Sequence, residues 1–150
     1  MRLLNSKSRD VMLGSAVVVA FACGLGCGAG GNQSSGDPAL VGTWVGTVSG
    51  DNVTVWTFTF TPTDVDVKMA TFAAYKGTYA ADASSDPKRI TVTITDSPIS
   101  TYIGQNSNGI YKIEGSTLTL AANQPGTTSR PTDFIPTADG VTEVFTLTEQ

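Results

Sequence analysis

Between Leu40 and the C-terminus, apolar residues return at every second position in a series of short runs. Trp56, Phe58 and Phe60 share one face of a run whose other face carries Val55, Thr57 and Thr59. Val65, Val67 and Met69 alternate with Asp64, Asp66 and Lys68, and Ile90, Val92 and Ile94 alternate with Thr91, Thr93 and Thr95. Tyr75, Gly77 and Tyr79 keep the same spacing, as do Tyr111 with Ile113, Leu118 with Leu120, and Phe145 with Leu147. Side chains two apart lie on one face of an extended chain, so each run reads as a half-buried strand. Turn residues separate the runs at Gly50-Asp51, Pro62, Ser85-Asp86-Pro87, Gly115-Ser116 and Asp139-Gly140. No stretch beyond Ala39 sustains a helical period. The pattern predicts an all-β antiparallel meander of about seven or eight strands, and closure into a β-barrel would remove its edges.

Composition narrows the chemistry. The chain has no histidine, which removes the usual general base, the commonest transition-metal ligand and the ordinary pH switch. Residues 39–150 hold no cysteine, so the body needs no disulfide and has no thiol chemistry. Serines are plentiful, but the chain has no histidine to activate one. We expect no enzyme, no cofactor and no resident metal. The formal charge is −4 with no basic stripe, which argues against nucleic acid as a partner.

The N-terminus carries a different signal. Arg2, Lys7 and Arg9 precede an apolar run, Val11 to Ala22, that ends at Cys23. The run is about 12 residues where a membrane span needs roughly 20, so it reads as the core of a cleaved secretory signal. Bacterial lipoprotein signals place a small residue just before a cysteine that becomes lipidated. Cys23, after Ala20-Phe21-Ala22, is the preferred site; Cys27, after Gly24-Leu25-Gly26, is the alternative. Cleavage without a lipid and a Cys23–Cys27 disulfide are the plainer readings. Removing residues 1–22 takes away three of nine Lys/Arg and one of thirteen Asp/Glu, leaving six against twelve and a charge of −6. Attachment to an anionic membrane would therefore rest on the lipid. Residues 23–38 are Gly/Ser-rich and read as a flexible tether, and residues 39–150 as one domain. The expected location is the cell envelope, outside the cytoplasm, on an outer membrane or a periplasmic face.

Five stretches of the body resemble a known pattern. They are Leu40-Val41-Gly42-Thr43-Trp44, Lys76-Gly77-Thr78-Tyr79, Asp86 to Ile94, Gly109 to Leu120, and Arg130-Pro131-Thr132-Asp133-Phe134. In this order they resemble the small lipocalin-like domain described in planctomycetes, a family of uncharacterised function. The resemblance implies a calycin-type barrel and no activity. Gly42-Thr43-Trp44 also resembles the opening motif of lipocalins, whose Trp plugs the closed end of the barrel beneath a late cation. Arg130 is the candidate for that cation. The polar stretch Asn123 to Ser129 departs from the family's tendency and, if it shapes the barrel mouth, unsettles any ligand preference carried over.

Other features have a bland and a sharp reading. Trp56, Phe58 and Phe60 are either filled core or the wall of a pocket for a small apolar ligand. Asp64 and Asp66 could bring carboxylates within about 7 Å on one strand face, but a solvated outer face is simpler. Asp82 and Asp86 with Ser84 and Ser85 resemble a loose oxygen-ligand loop but suit an Asx-type turn better. Asn106 to Gly109 reads either as polar contacts at a rim or, more plainly, as a loop ending in a tight turn. Two functions stay open: a lipid-anchored binding module for an apolar ligand or partner, and a structural or interaction module with a filled core.

Overall fold

A computed structural model describes residues 36–70 and 72–150. The signal, Cys23, Cys27 and most of the tether lie outside the described residues. The alternation becomes eight strands: β1 (Gly42–Val48), β2 (Asp51–Phe60), β3 (Asp64–Met69), β4 (Phe72–Asp82), β5 (Lys88–Asp96), β6 (Asn106–Glu114), β7 (Thr117–Asn123) and β8 (Thr142–Glu149). Each pairs antiparallel with its sequence neighbours, and β8 returns to β1 to close the barrel. The closing register places Trp44 opposite Glu149 and Val48 opposite Phe145. Closure leaves no free ladder of backbone donors and acceptors.

The inward rows are the ones the period selects. Trp44, Phe58, Phe60, Val65, Val67, Tyr79, Ile90, Tyr111, Leu118, Leu120, Phe145 and Leu147 are buried together inside, with Leu40 from a 3₁₀ turn at Pro38–Leu40. A second cluster, Ile110, Ala121 and Val144, is buried on the outer face of β6, β7 and β8. Those positions alternate with the inward rows, so they would face water in a bare barrel. The long connection between β7 and β8 covers them, with Phe134 packed against the cluster.

Two expectations shift. Asn106 to Gly109 is not a rim loop but the first four residues of β6. Asn106 and Asn108 point outward and accept hydrogen bonds from Thr93 and Thr91 across the β5 ladder (2.8 and 3.2 Å). Their side chains support the strand instead of a turn. Gly36, Asp37 and Pro38, read as the end of the tether, are packed: the Gly36 amide donates to the Pro62 carbonyl, and Asp37 caps the 3₁₀ turn through the Ala39 amide.

Candidate functional site

The strand directions give the barrel two unlike ends. At one end lie the 3₁₀ turn, Trp44 and the β4–β5 and β6–β7 turns. At the other lie the β1–β2 and β3–β4 turns, the β5–β6 loop and the long β7–β8 connection.

The first end is closed. Trp44 is 1% exposed, and its indole N–H donates to the Leu40 carbonyl at 2.8 Å. The 3₁₀ turn thus folds back onto the ring it covers. Gly42 permits this entry, since its φ of +147° lies in a region that L side chains rarely adopt. Asp37 ties the turn to the far wall. Its Oδ1 accepts from Ala39, while its Oδ2 accepts from the Lys88 ammonium (3.1 Å) and the Tyr111 hydroxyl (2.9 Å). Lys88 also lies 5.7 Å from the centroid of the Tyr111 ring. Burial pushes the Asp37 carboxyl up, but the Ala39, Tyr111 and Lys88 hydrogen bonds and the Lys88 charge outweigh it, so its pKa falls. Burial, then the Asp37 carboxylate, pushes the Tyr111 hydroxyl well up. Tyr79 closes the remaining gap, donating to the Thr61 carbonyl at 2.8 Å.

Arg130 does not cover Trp44. It lies on the outer face of β5 and β6, where its guanidinium donates to the Ile90 and Gly109 carbonyls, to Thr91 Oγ1 (2.7 Å) and to Asn108 Oδ1 (3.3 Å). A planar fork with five donors suits such a set of oxygens. The role of Arg130 is to fasten the β7–β8 connection to the wall. Lys112, over the ring of Phe134 at 5.6 Å, holds the same connection further along.

The second end is open and leads into a cavity of about 320 Å³. That is the lower end of the size range of small-molecule sites. Its apolar lining includes Trp56, Phe58, Val92, Ile94, Leu120 and Phe145. The aromatic row of β2 runs down the inside and divides by depth. Trp56 and Phe58 line the cavity, both edge-on to Phe145 at 5.2 and 5.1 Å between centroids. Phe60 does not line it; it lies toward the closed end, stacked on Phe58 and edge-on to Tyr79. Gly109 makes room in the facing wall. A Cβ there would come within 2.7 Å of the Ala121 carbonyl oxygen.

The polar groups at the mouth fall into two sets. On the β6–β8 side they satisfy one another. Ser107 donates to the Asn123 carbonyl (2.6 Å), Asn123 Oδ1 accepts from Thr142 (2.6 Å), and Asn123 Nδ2 donates to Ser129. Asn123, Gln124 and Pro125 line the cavity, so the polar stretch after β7 does shape the mouth.

The other set is unpaired. Trp56 Nε1 is buried and has no hydrogen-bond partner among the described residues. Glu143 lines the cavity two positions before the inward Phe145, and burial raises its carboxyl pKa. Tyr75, on the inward row of β4, and Tyr102, from a 3₁₀ turn in the β5–β6 loop, stand near each other at 6.5 Å between centroids. Burial, then Tyr102 and then Glu143, pushes the Tyr75 hydroxyl up.

The other sequence candidates belong to the surface. Asp66 pairs loosely with Lys76 at 3.8 Å, while the exposed Asp64 accepts from Thr63. Asp82 Oδ1 accepts from the Ser84 amide and hydroxyl, as in an Asx turn. Among the described residues no group of three or more His, Cys, Asp or Glu could hold a metal ion. Compared with family models, curated proteins and solved structures, the chain finds no match.

Proposed function

We propose that this chain is a binding module, exported and held at the cell envelope by a lipid on Cys23, whose barrel takes a small, mainly apolar ligand through its open end. The observation that carries the binding role is the cavity beneath an open mouth, walled by Trp56, Phe58 and Phe145. The buried Trp56 N–H supports it. A donor without a partner costs the free protein on the order of 1–3 kcal/mol, and a ligand with one acceptor atom would offset that cost. The filled-barrel alternative describes the closed half of the interior only, where Phe60, Tyr79, Tyr111 and Trp44 pack together. No step of chemistry is assigned to the site, and the role is non-catalytic.

The anchor rests on the sequence pattern before Cys23. The family reading also remains a proposal, supported by where the five quoted stretches fall. They form the capping turn with β1, part of β4, the turn into β5 with most of that strand, the β6–β7 hairpin, and the fastened segment at Arg130.

Titration with a naphthalene dye or a medium-chain alkanol tests the binding role. Binding quenches or shifts the fluorescence of Trp56 and raises Tm by mass action. A flat titration together with an unchanged Tm across a panel of apolar compounds would reject it. Intact mass of the protein from native membranes tests the anchor: acyl chains on a chain beginning at Cys23 are expected, and a mature mass without them overturns it.

A further inference from the structure

The mouth of the cavity is charged on one side only. Glu143 is the sole acidic residue in the lining, and no Lys or Arg stands among those residues. It follows the inward row of β8, in register with Phe145 and Leu147, opposite Ala122 of β7. Among the described residues it has neither an ion pair nor a hydrogen bond, whereas Asp66, Asp37 and Glu114 each pair with a lysine. Glu143 is exposed at the entrance of this apolar chamber, with no counter-charge in the lining, and so is open to a cation that enters.

Two aromatic rings complete the entrance. Tyr75 and Tyr102 lie tilted at 37° to one another, and both line the cavity with Glu143. Electron-rich faces beside a carboxylate are suited to a nitrogen cation. Trp56 lines the same cavity and extends the aromatic wall inward. Below this polar and aromatic ring the wall becomes Phe58, Ile94, Leu120 and Phe145, suited to an apolar body.

We infer that the ligand is an apolar molecule with a cationic nitrogen head, the head resting on Glu143 between Tyr75 and Tyr102 and the body filling the cavity below. The inference rests on the binding role proposed above and names its ligand class. An anionic amphiphile such as a fatty acid is disfavoured, because its carboxylate would meet Glu143 with no lysine or arginine in the lining to offset the repulsion. Glu143 still reaches solvent, so the contribution of the head is moderate and falls with salt.

Three probes that share a chain and differ only in the head test this: octylamine, octan-1-ol and octanoate. Each is titrated below its micellar range into the full chain at pH 7 and low salt, with fluorescence and Tm as readouts. Octylamine should bind roughly five- to tenfold tighter than octanol, with octanoate weakest. Glu143→Gln should bring the amine-to-alcohol ratio close to one. Raising the salt should reduce the wild-type ratio in the same direction. Equal binding of octylamine and octanol, tighter binding of octanoate, or a ratio unchanged in Glu143→Gln overturns the cationic head while leaving the apolar cavity intact. No binding of any probe removes the cavity reading and the head with it.

Discussion

The two ends of one barrel treat the same kinds of residue in opposite ways. At the closed end an indole N–H meets a carbonyl, a carboxylate meets an ammonium and a phenol, and every group is spent on the fold. At the open end, among the described residues, an indole N–H is buried with no partner, and a carboxylate shares the lining with aromatic rings and no cation. The contrast separates polar groups that the fold itself uses from polar groups left without a partner among the described residues. A buried polar group that is satisfied holds structure together. One that is left unsatisfied lowers stability unless a ligand completes it.

The sharpest break of this comparison comes at Trp44. Trp44→Ala empties the plug and leaves the Leu40 carbonyl without its donor, so it should cost about 3–5 kcal/mol in urea denaturation. A variant that melts within a degree or two of wild type would mean that the closed end is not held by this ring.

Asp37→Asn comes next, at about 1–3 kcal/mol near neutral pH, because Lys88 and Tyr111 lose their charged acceptor. The folded Asp37 carboxyl titrates below its unfolded value. The unfolded chain therefore binds the proton first, and the stabilisation is full above about pH 4 and lost as pH falls further through the folded value. The gap between wild type and Asp37→Asn should narrow over that range. A gap that is constant from neutral pH to pH 3 would assign the effect to packing.

At the other end the signs reverse. Trp56→Phe removes a donor that has no partner, so the free protein should stay within about 1 kcal/mol of wild type, with any shift toward greater stability. A loss beyond that would place a partner on this nitrogen.

The smallest effect is expected at Glu143. Its folded pKa is raised, so its ionisation opposes folding as pH rises above about 4. Glu143→Gln should raise the unfolding free energy in urea slightly at neutral pH, by less than about 0.5 kcal/mol because Glu143 is exposed, and not at pH 3. Equal gains at both pH values would remove charge as the cause.

Parts of both ends were legible beforehand. Trp44 stood out in Leu40-Val41-Gly42-Thr43-Trp44, and Trp56 and Phe58 stood out on an aromatic face. Glu143 was legible in principle, because period two places it on the face of Phe145 and Leu147, but one charge at a strand start carries little weight alone. Asp37 reads as the end of the tether in the sequence, although an Asp before a Pro is a pattern that can cap a helical turn. Tyr102 had no such signal, since it comes from a loop without periodicity. The sequence places Arg130 over Trp44, whereas it binds oxygens on the outer wall, because its contacts depend on how the β7–β8 connection folds back across the outside. Asn106 and Asn108 read as loop residues, yet cross-strand bonds to Thr91 and Thr93 hold them in β6.

The sequence by itself determined the strands and their inward faces, because alternation is a local property of the chain and burial follows from it. It also determined the acidic charge and the absence of histidine, both matters of composition. The tertiary structure alone decided that β8 meets β1, that the interior is filled at one end and open at the other, and that the side chains of Trp56 and Glu143 meet no partner among the described residues. Those outcomes depend on which residues meet across the barrel, and such distances exist only after the chain has closed on itself.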